Sequence, residues 1–142
     1  MQKIFERAVD IAVSFDKNLF PGRNLHLSLV SYKGRFVSIG INRRVTHPAN
    51  LRYNPKINQK GINFSDKGGT CAEYSAFVQM KRRNNIPFDK CDLINIRINK
   101  LDILNNSCPC NSCKNLLKFI NFKSVYYSIL SNKDNPKFER YL

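Results

Sequence analysis

Apolar residues recur at intervals of three and four near the start of the chain. Ile4, Phe5, Ala8, Val9, Ala12, Phe15 and Leu19 fall on one stripe, which predicts an amphipathic helix over residues 3–19. Pro21 and Gly22 end it. The period then changes to two: Leu25, Leu27 and Leu29 alternate with His26, Ser28 and Val30. The segment YKGR (32–35) turns the chain, and FVSIGIN (36–42) follows as a second strand. A tight turn containing glycine between two such runs predicts a β-hairpin.

Residues 43–70 show no sustained period, and so long a loop inside a compact domain is often functional. It carries Arg43, Arg44, Arg52, Lys56, Lys60 and Lys67 against the single acid Asp66, with His47 among them. Thr70 is the expected N-cap of a second helix, over 71–84, that buries Ala72, Ala76, Phe77 and Met80. DLINIRIN (92–99) reads as a third strand, and a third helix begins near Cys110. SVYYSIL (124–130) is a fourth strand, and the tail has room for one short edge strand or a helical turn. Strand three, helix three and strand four make a βαβ unit, so that part of the sheet is expected to be parallel. The predicted fold class is α/β: a three-layer α/β/α domain with a mixed sheet of four to five strands, spanning residues 1–142 as a single domain.

Hydrophobic residues make up 42% of the 142 positions, enough for a core of this size. Glu6, Asp10 and Asp16 interrupt the apolar residues of the N-terminal segment, so it does not read as a secretion signal. No stretch approaches the roughly 20 apolar residues of a membrane span. A cytoplasmic, reducing location is expected, with no membrane partner. Twenty-four Lys and Arg against ten Asp and Glu leave a net charge of +14. Such a field attracts phosphate-bearing partners, a nucleotide or a single-stranded nucleic acid. Compositional drift in a chain rich in Asn, Ile and Lys explains the charge equally well. Assembly into a homo-oligomer stays open.

The five cysteines are Cys71, Cys91, Cys108, Cys110 and Cys113. The odd count argues against a disulfide framework, and the clustering favours a metal. Cys110 and Cys113, three apart behind Pro109 at a helix start, aim two thiolates at one point. Cys71 opens the other helix. If the two helix tips face each other, three thiolates converge and both helix dipoles favour them. Zinc takes four ligands, so three from protein leave one position for water, the pattern of a catalytic site. Glu73, two residues past Cys71, is a carboxylate placed to accept and return protons. A purely structural zinc site is the alternative. Cys91 reads as an incidental buried thiol and Cys108 as a spare. His26 reads as an ordinary strand residue, and Tyr127 as either sheet core or a ring that stacks on a base.

Cys71-Ala72-Glu73 followed by Pro109-Cys110-x-x-Cys113 resembles the paired signature of the cytidine deaminase superfamily, [H/C]-x-E and then P-C-x-x-C. The resemblance covers residues 3–130 and includes the preceding hairpin. It implies one Zn2+ per chain held by Cys71, Cys110 and Cys113, with Glu73 as the proton shuttle. It also implies backbone contacts to the base at Ala72 and a sugar contact from Asn42. Members that act on free nucleosides often carry Arg after the glutamate, where this chain has Tyr74. Arg43 and Arg44 follow Asn42 and, with His47, suit a phosphate. The expected activity is zinc-dependent hydrolytic deamination of a cytosine-type base in a dCMP- or CMP-like substrate. Two alternatives stand beside it: deamination of cytosine or adenine in single-stranded DNA or RNA, and an inactive, zinc-stabilised nucleic-acid-binding member.

Overall fold

The computed structural model of the chain describes residues 1–20, 24–42, 71–82 and 85–142. Arg43, Arg44, His47, Thr70 and the basic segment around them lie outside the described residues.

The elements follow the predicted order, with two short strands added. Helix α1 (Gln2–Val13) leads to the hairpin β1 (Asn24–Tyr32) and β2 (Arg35–Ile41), then α2 (Ala72–Lys81) and β3 (Asp92–Asn99). After these come β4 (Ile103–Asn105), α3 (Asn111–Ile120), β5 (Ser124–Ser128), β6 (Ser131–Asn132) and β7 (Phe138–Arg140). The first helix is shorter than its apolar stripe. The Ser14 hydroxyl donates to the Ile11 carbonyl, and Asp16 accepts from the Asn18 amide to start a separate 3-10 turn at Lys17–Leu19. Short polar side chains that bond their own backbone compete with helix continuation. The hairpin turn is as expected: Lys33 and Gly34 both have positive φ, at 50° and 75°, the geometry of a two-residue turn that matches strand twist.

The sheet is mixed. The main strands lie in the order β2-β1-β3-β5-β7, and β4 and β6 extend from the far end of β3. β3 pairs with β5 in parallel, from Asp92↔Ser124 to Asn95↔Tyr127, as the βαβ reading required. All other pairings are antiparallel. β2, β3 and β5 therefore point the same way, and their carboxyl ends share one edge of the domain.

Strand alternation sorts the two faces. Leu25, Leu27 and Leu29 of β1 and Ile94, Ile96 and Ile98 of β3 pack against α1 through Ala8, Val9 and Ala12. Phe5 of α1 stacks on Phe138 of β7 with ring centroids 4.4 Å apart, and meets Tyr126 edge-on at 5.1 Å. On the opposite face Val30, Leu93 and Val125 pack beneath Ala76 and Met80 of α2 and Leu117 of α3. This gives the three layers of the predicted class. No helix among the described residues is long and apolar enough to cross a membrane.

Helix α2 lies directly on β2. A Cβ at Gly40 would meet the Ala72 carbonyl oxygen and the Ala76 amide nitrogen, both backbone. The Ser38 hydroxyl donates to the Ala76 carbonyl at 2.9 Å, and the Gln79 amide donates to the Ile39 carbonyl at 2.6 Å. Gly40 is thus required for the approach of the helix. Gly40→Ala is expected to cost on the order of 1–3 kcal/mol or more, as overpacking against rigid backbone does. Gly34→Ala, strained in φ but sterically open, is expected to cost about 1 kcal/mol. Chemical denaturation of the two variants checks the ranking.

Candidate metal centre and glutamate

The N-termini of α2 and α3 meet at the carboxyl ends of the parallel strands. Cys71 is the N-cap of α2, one residue later than the expected Thr70, and Cys110 is the N-cap of α3. Neither cap makes a side-chain capping hydrogen bond to its own helix, and the two sulfurs face each other. Cys113 sits in the first turn of α3, fully buried against Tyr74, Phe77 and Leu116.

The three Sγ atoms lie within 4.8 Å of one another, and those of Cys71 and Cys110 are 3.5 Å apart. Three thiolates about 2.3 Å from one tetrahedral zinc stand about 3.8 Å apart, so the cluster has the right size. Among the described residues no fourth Cys or His joins it. Hydrogen bonding from Cys110 raises the pKa of Cys71, and burial raises that of Cys113 well above the ordinary thiol range. A divalent cation reverses this preference, because a coordinating thiol is deprotonated outright. The donor set fits Zn2+.

Glu73 is buried in the first turn of α2, beside the cluster. Its pKa is raised to about 7, first by burial and then by Cys110, against the opposing hydrogen bonds from its own backbone, Cys113 and Asn95. The Asn95 amide donates to Glu73 Oε2 at 3.2 Å, and Ser28 Oγ donates to Asn95 Oδ1 at 2.6 Å. That second bond fixes which way the Asn95 amide points. The carboxylate is therefore held by a polar relay from the middle of the sheet.

The loop that delivers Cys110 is also anchored. Ser107 is buried; its hydroxyl donates to the Asn95 carbonyl at 2.9 Å and lies 2.9 Å from the Ser128 hydroxyl. The Ser107 amide donates to the Ser128 carbonyl, and the Arg97 amide donates to Ser128 Oγ. These serines wedge between β3 and β5 where their pairing ends, and β4 takes over the free edge of β3 at Arg97 and Ile98.

The structure brings together Cys71, Cys110, Cys113, Glu73 and Ala72. Asn42 ends β2 with its Oδ1 accepting from the His26 amide at 3.0 Å. Tyr127 donates its hydroxyl to Glu139 of β7 at 2.7 Å on an exposed part of the sheet. Cys91 is buried with its thiol on the Pro87 carbonyl, and Cys108 is exposed outside the cluster. Sequence reasoning missed Ser28 and Asn95. The signal was present in the alternation of DLINIRIN, whose polar positions stand opposite the polar positions of β1.

A solved structure of cytidine deaminase from Burkholderia pseudomallei is similar to this chain, with a TM-score of 0.54 at 13% sequence identity, covering 99% of this chain and 92% of that one. No family model and no curated protein matches. The likeness is one of fold: a mixed sheet between helix layers of the cytidine deaminase-like kind, as the paired motifs implied.

Two outcomes are expected. Metal analysis after zinc loading gives about one Zn2+ per chain, which Cys110→Ala loses and Cys108→Ala keeps. His26 is pushed down to about 4 by burial and by the neighbouring Arg97. The unfolded chain therefore takes up this proton first as pH falls from 6.5 to 4, and stability declines across that window. Denaturation at pH 7 and pH 4.5 should show a smaller decline in His26→Gln.

Proposed function

We infer that this chain is a zinc-dependent hydrolytic deaminase that converts a cytosine-type base to uracil, with a phosphate-bearing nucleotide as the preferred substrate. The convergence of three thiols with a buried, tethered glutamate at two helix tips carries this reading. The likeness of the fold to a protein named cytidine deaminase supports it.

Cys71, Cys110 and Cys113 would hold the zinc. When bound, the metal supplies Lewis-acid activation of a water. Glu73 would take one proton from the attacking water and deliver it to the ring nitrogen, then take the second from the newly added hydroxyl and give it to the departing amine. A carbon–oxygen bond forms, the carbon–nitrogen bond breaks and ammonia leaves. Asn95 keeps the Glu73 carboxylate pointed at the cluster. The Ala72 backbone lies at the helix tip beside the base. Asn42 already accepts from His26 through Oδ1, so it offers its amide N–H groups to the sugar. Arg43, Arg44 and His47, the phosphate candidates of the sequence, lie outside the described residues. Tyr127, tied through its hydroxyl to Glu139, is the weakest member of the substrate set.

The test is ammonia and uracil release from dCMP, CMP, cytidine and deoxycytidine by the zinc-loaded protein. Glu73→Gln should keep its zinc and lose rate on the order of 10²–10⁴-fold. No release from any of the four, with zinc present, refutes the small-substrate reading. The net charge of +14 favours a second reading, deamination within a single strand. Turnover of a labelled oligonucleotide that weakens steeply with salt would select it.

A further inference from the structure

The polar face of the sheet continues beyond Glu73. Ser28 and Asn95 stand opposite each other, and one pleat on, about 7 Å nearer the carboxyl end of β3, His26 stands opposite Arg97. Alternate residues share a face, so Arg97 and His26 are on the side that carries Asn95 and the metal cluster. Asn42 flanks His26 from β2, its amide donating to the His26 carbonyl. Asn105 of β4 pairs with Arg97 on the other side. A row of Asn42, His26, Arg97 and Asn105 thus crosses the sheet just past the tethered glutamate.

Arg97 is poorly satisfied there. Its Nε is buried and has no hydrogen-bond partner among the described residues. The ion pairs formed among those residues join Lys17 and Lys133 to Asp102 and leave Arg97 out. A buried guanidinium N–H without an acceptor is costly. Among the described residues no Asp or Glu stands directly opposite Arg97: His26 lies across from it on β1 and Asn105 on β4, and Asn42 has its oxygen engaged by the His26 amide. A fixed cation with no carboxylate paired to it among those residues matches a small oxyanion, which a guanidinium binds through two parallel N–H groups.

We propose that Arg97, with His26 beside it, forms an oxyanion subsite that takes the phosphate of the nucleotide substrate. The assignment rests on the deaminase reading. It places the phosphate contact on a strand of the sheet, one pleat from the residue that holds Glu73, so that a ligand with its reacting carbon at Glu73 carries its anion within reach.

Calorimetric titration of the zinc-loaded Glu73→Gln protein, which does not consume the ligand, tests this with CMP and cytidine. CMP is expected to bind about 10- to 100-fold more tightly than cytidine. Adding Arg97→Gln should abolish that difference and leave cytidine affinity unchanged, while Arg97→Lys, which keeps the charge, should retain part of it. Equal weakening of both ligands, or an unchanged CMP preference in a folded Arg97→Gln protein, overturns the subsite. Inorganic phosphate followed by 31P NMR separates this from failure of the deaminase reading. Phosphate broadening that Arg97→Gln abolishes upholds the subsite even if no base is deaminated. Broadening that survives the substitution, or none in the parent protein, overturns it.

Discussion

The site depends on how closely helix α2 can approach strand β2. At Gly40 the helix backbone rests on the strand with no side chain between them, and Ser38 and Gln79 tie the two together on either side. That seating sets the height of Cys71 and Glu73 above the sheet. The second helix reaches the same level by a different device, the buried Ser107–Ser128 wedge that opens the edge between β3 and β5. Two independent supports thus bring two helix N-termini to one place. Converging dipoles there lower the cost of collecting thiolates and a carboxylate.

The metal cluster and the acid are built as one unit. Cys113 and Glu73 are both buried, and each would be an expensive solitary polar group. Glu73 is restrained from below by Asn95 and Ser28, which occupy positions where a strand facing a helix layer normally carries apolar residues. Replacing packing atoms with a hydrogen-bonded relay favours orientation over cohesion. The same exchange continues at Arg97 and His26, where the relay ends in a charge.

Most of the architecture was legible in the sequence because periodicity reports burial directly. The 3–4 spacing in α1, the alternation in β1 and the YKGR turn each have one structural solution, and the parallel β3–β5 pair follows from the handed connection between them. The end of α1 was less legible, because Phe15 and Leu19 continue the apolar stripe while Ser14 and Asp16 divert the backbone. The strands β4 and β6 are too short to carry a period. At the site, Cys71, Glu73, Cys110 and Cys113 announced themselves by residue type and spacing. Ser28, Asn95 and Arg97 did not, since a polar residue alternating in a strand looks like a solvent-facing one until the register shows what covers it.

Strand β3 is bordered in turn by β1, β5 and β4. Its contact with β1 joins residues far apart in the chain, as the Ser28–Asn95 bond across 67 positions shows. The hairpin and the helices can form locally, but closing so long a loop carries an entropic barrier that local pairing does not. Pairing of β1 with β3 therefore carries the largest loop-closure cost of the strand pairings among the described residues. Because Glu73 is tethered through Asn95 on that central strand, the placement of the proton-handling group is coupled to the strand pairing that spans the longest stretch of chain among the described residues.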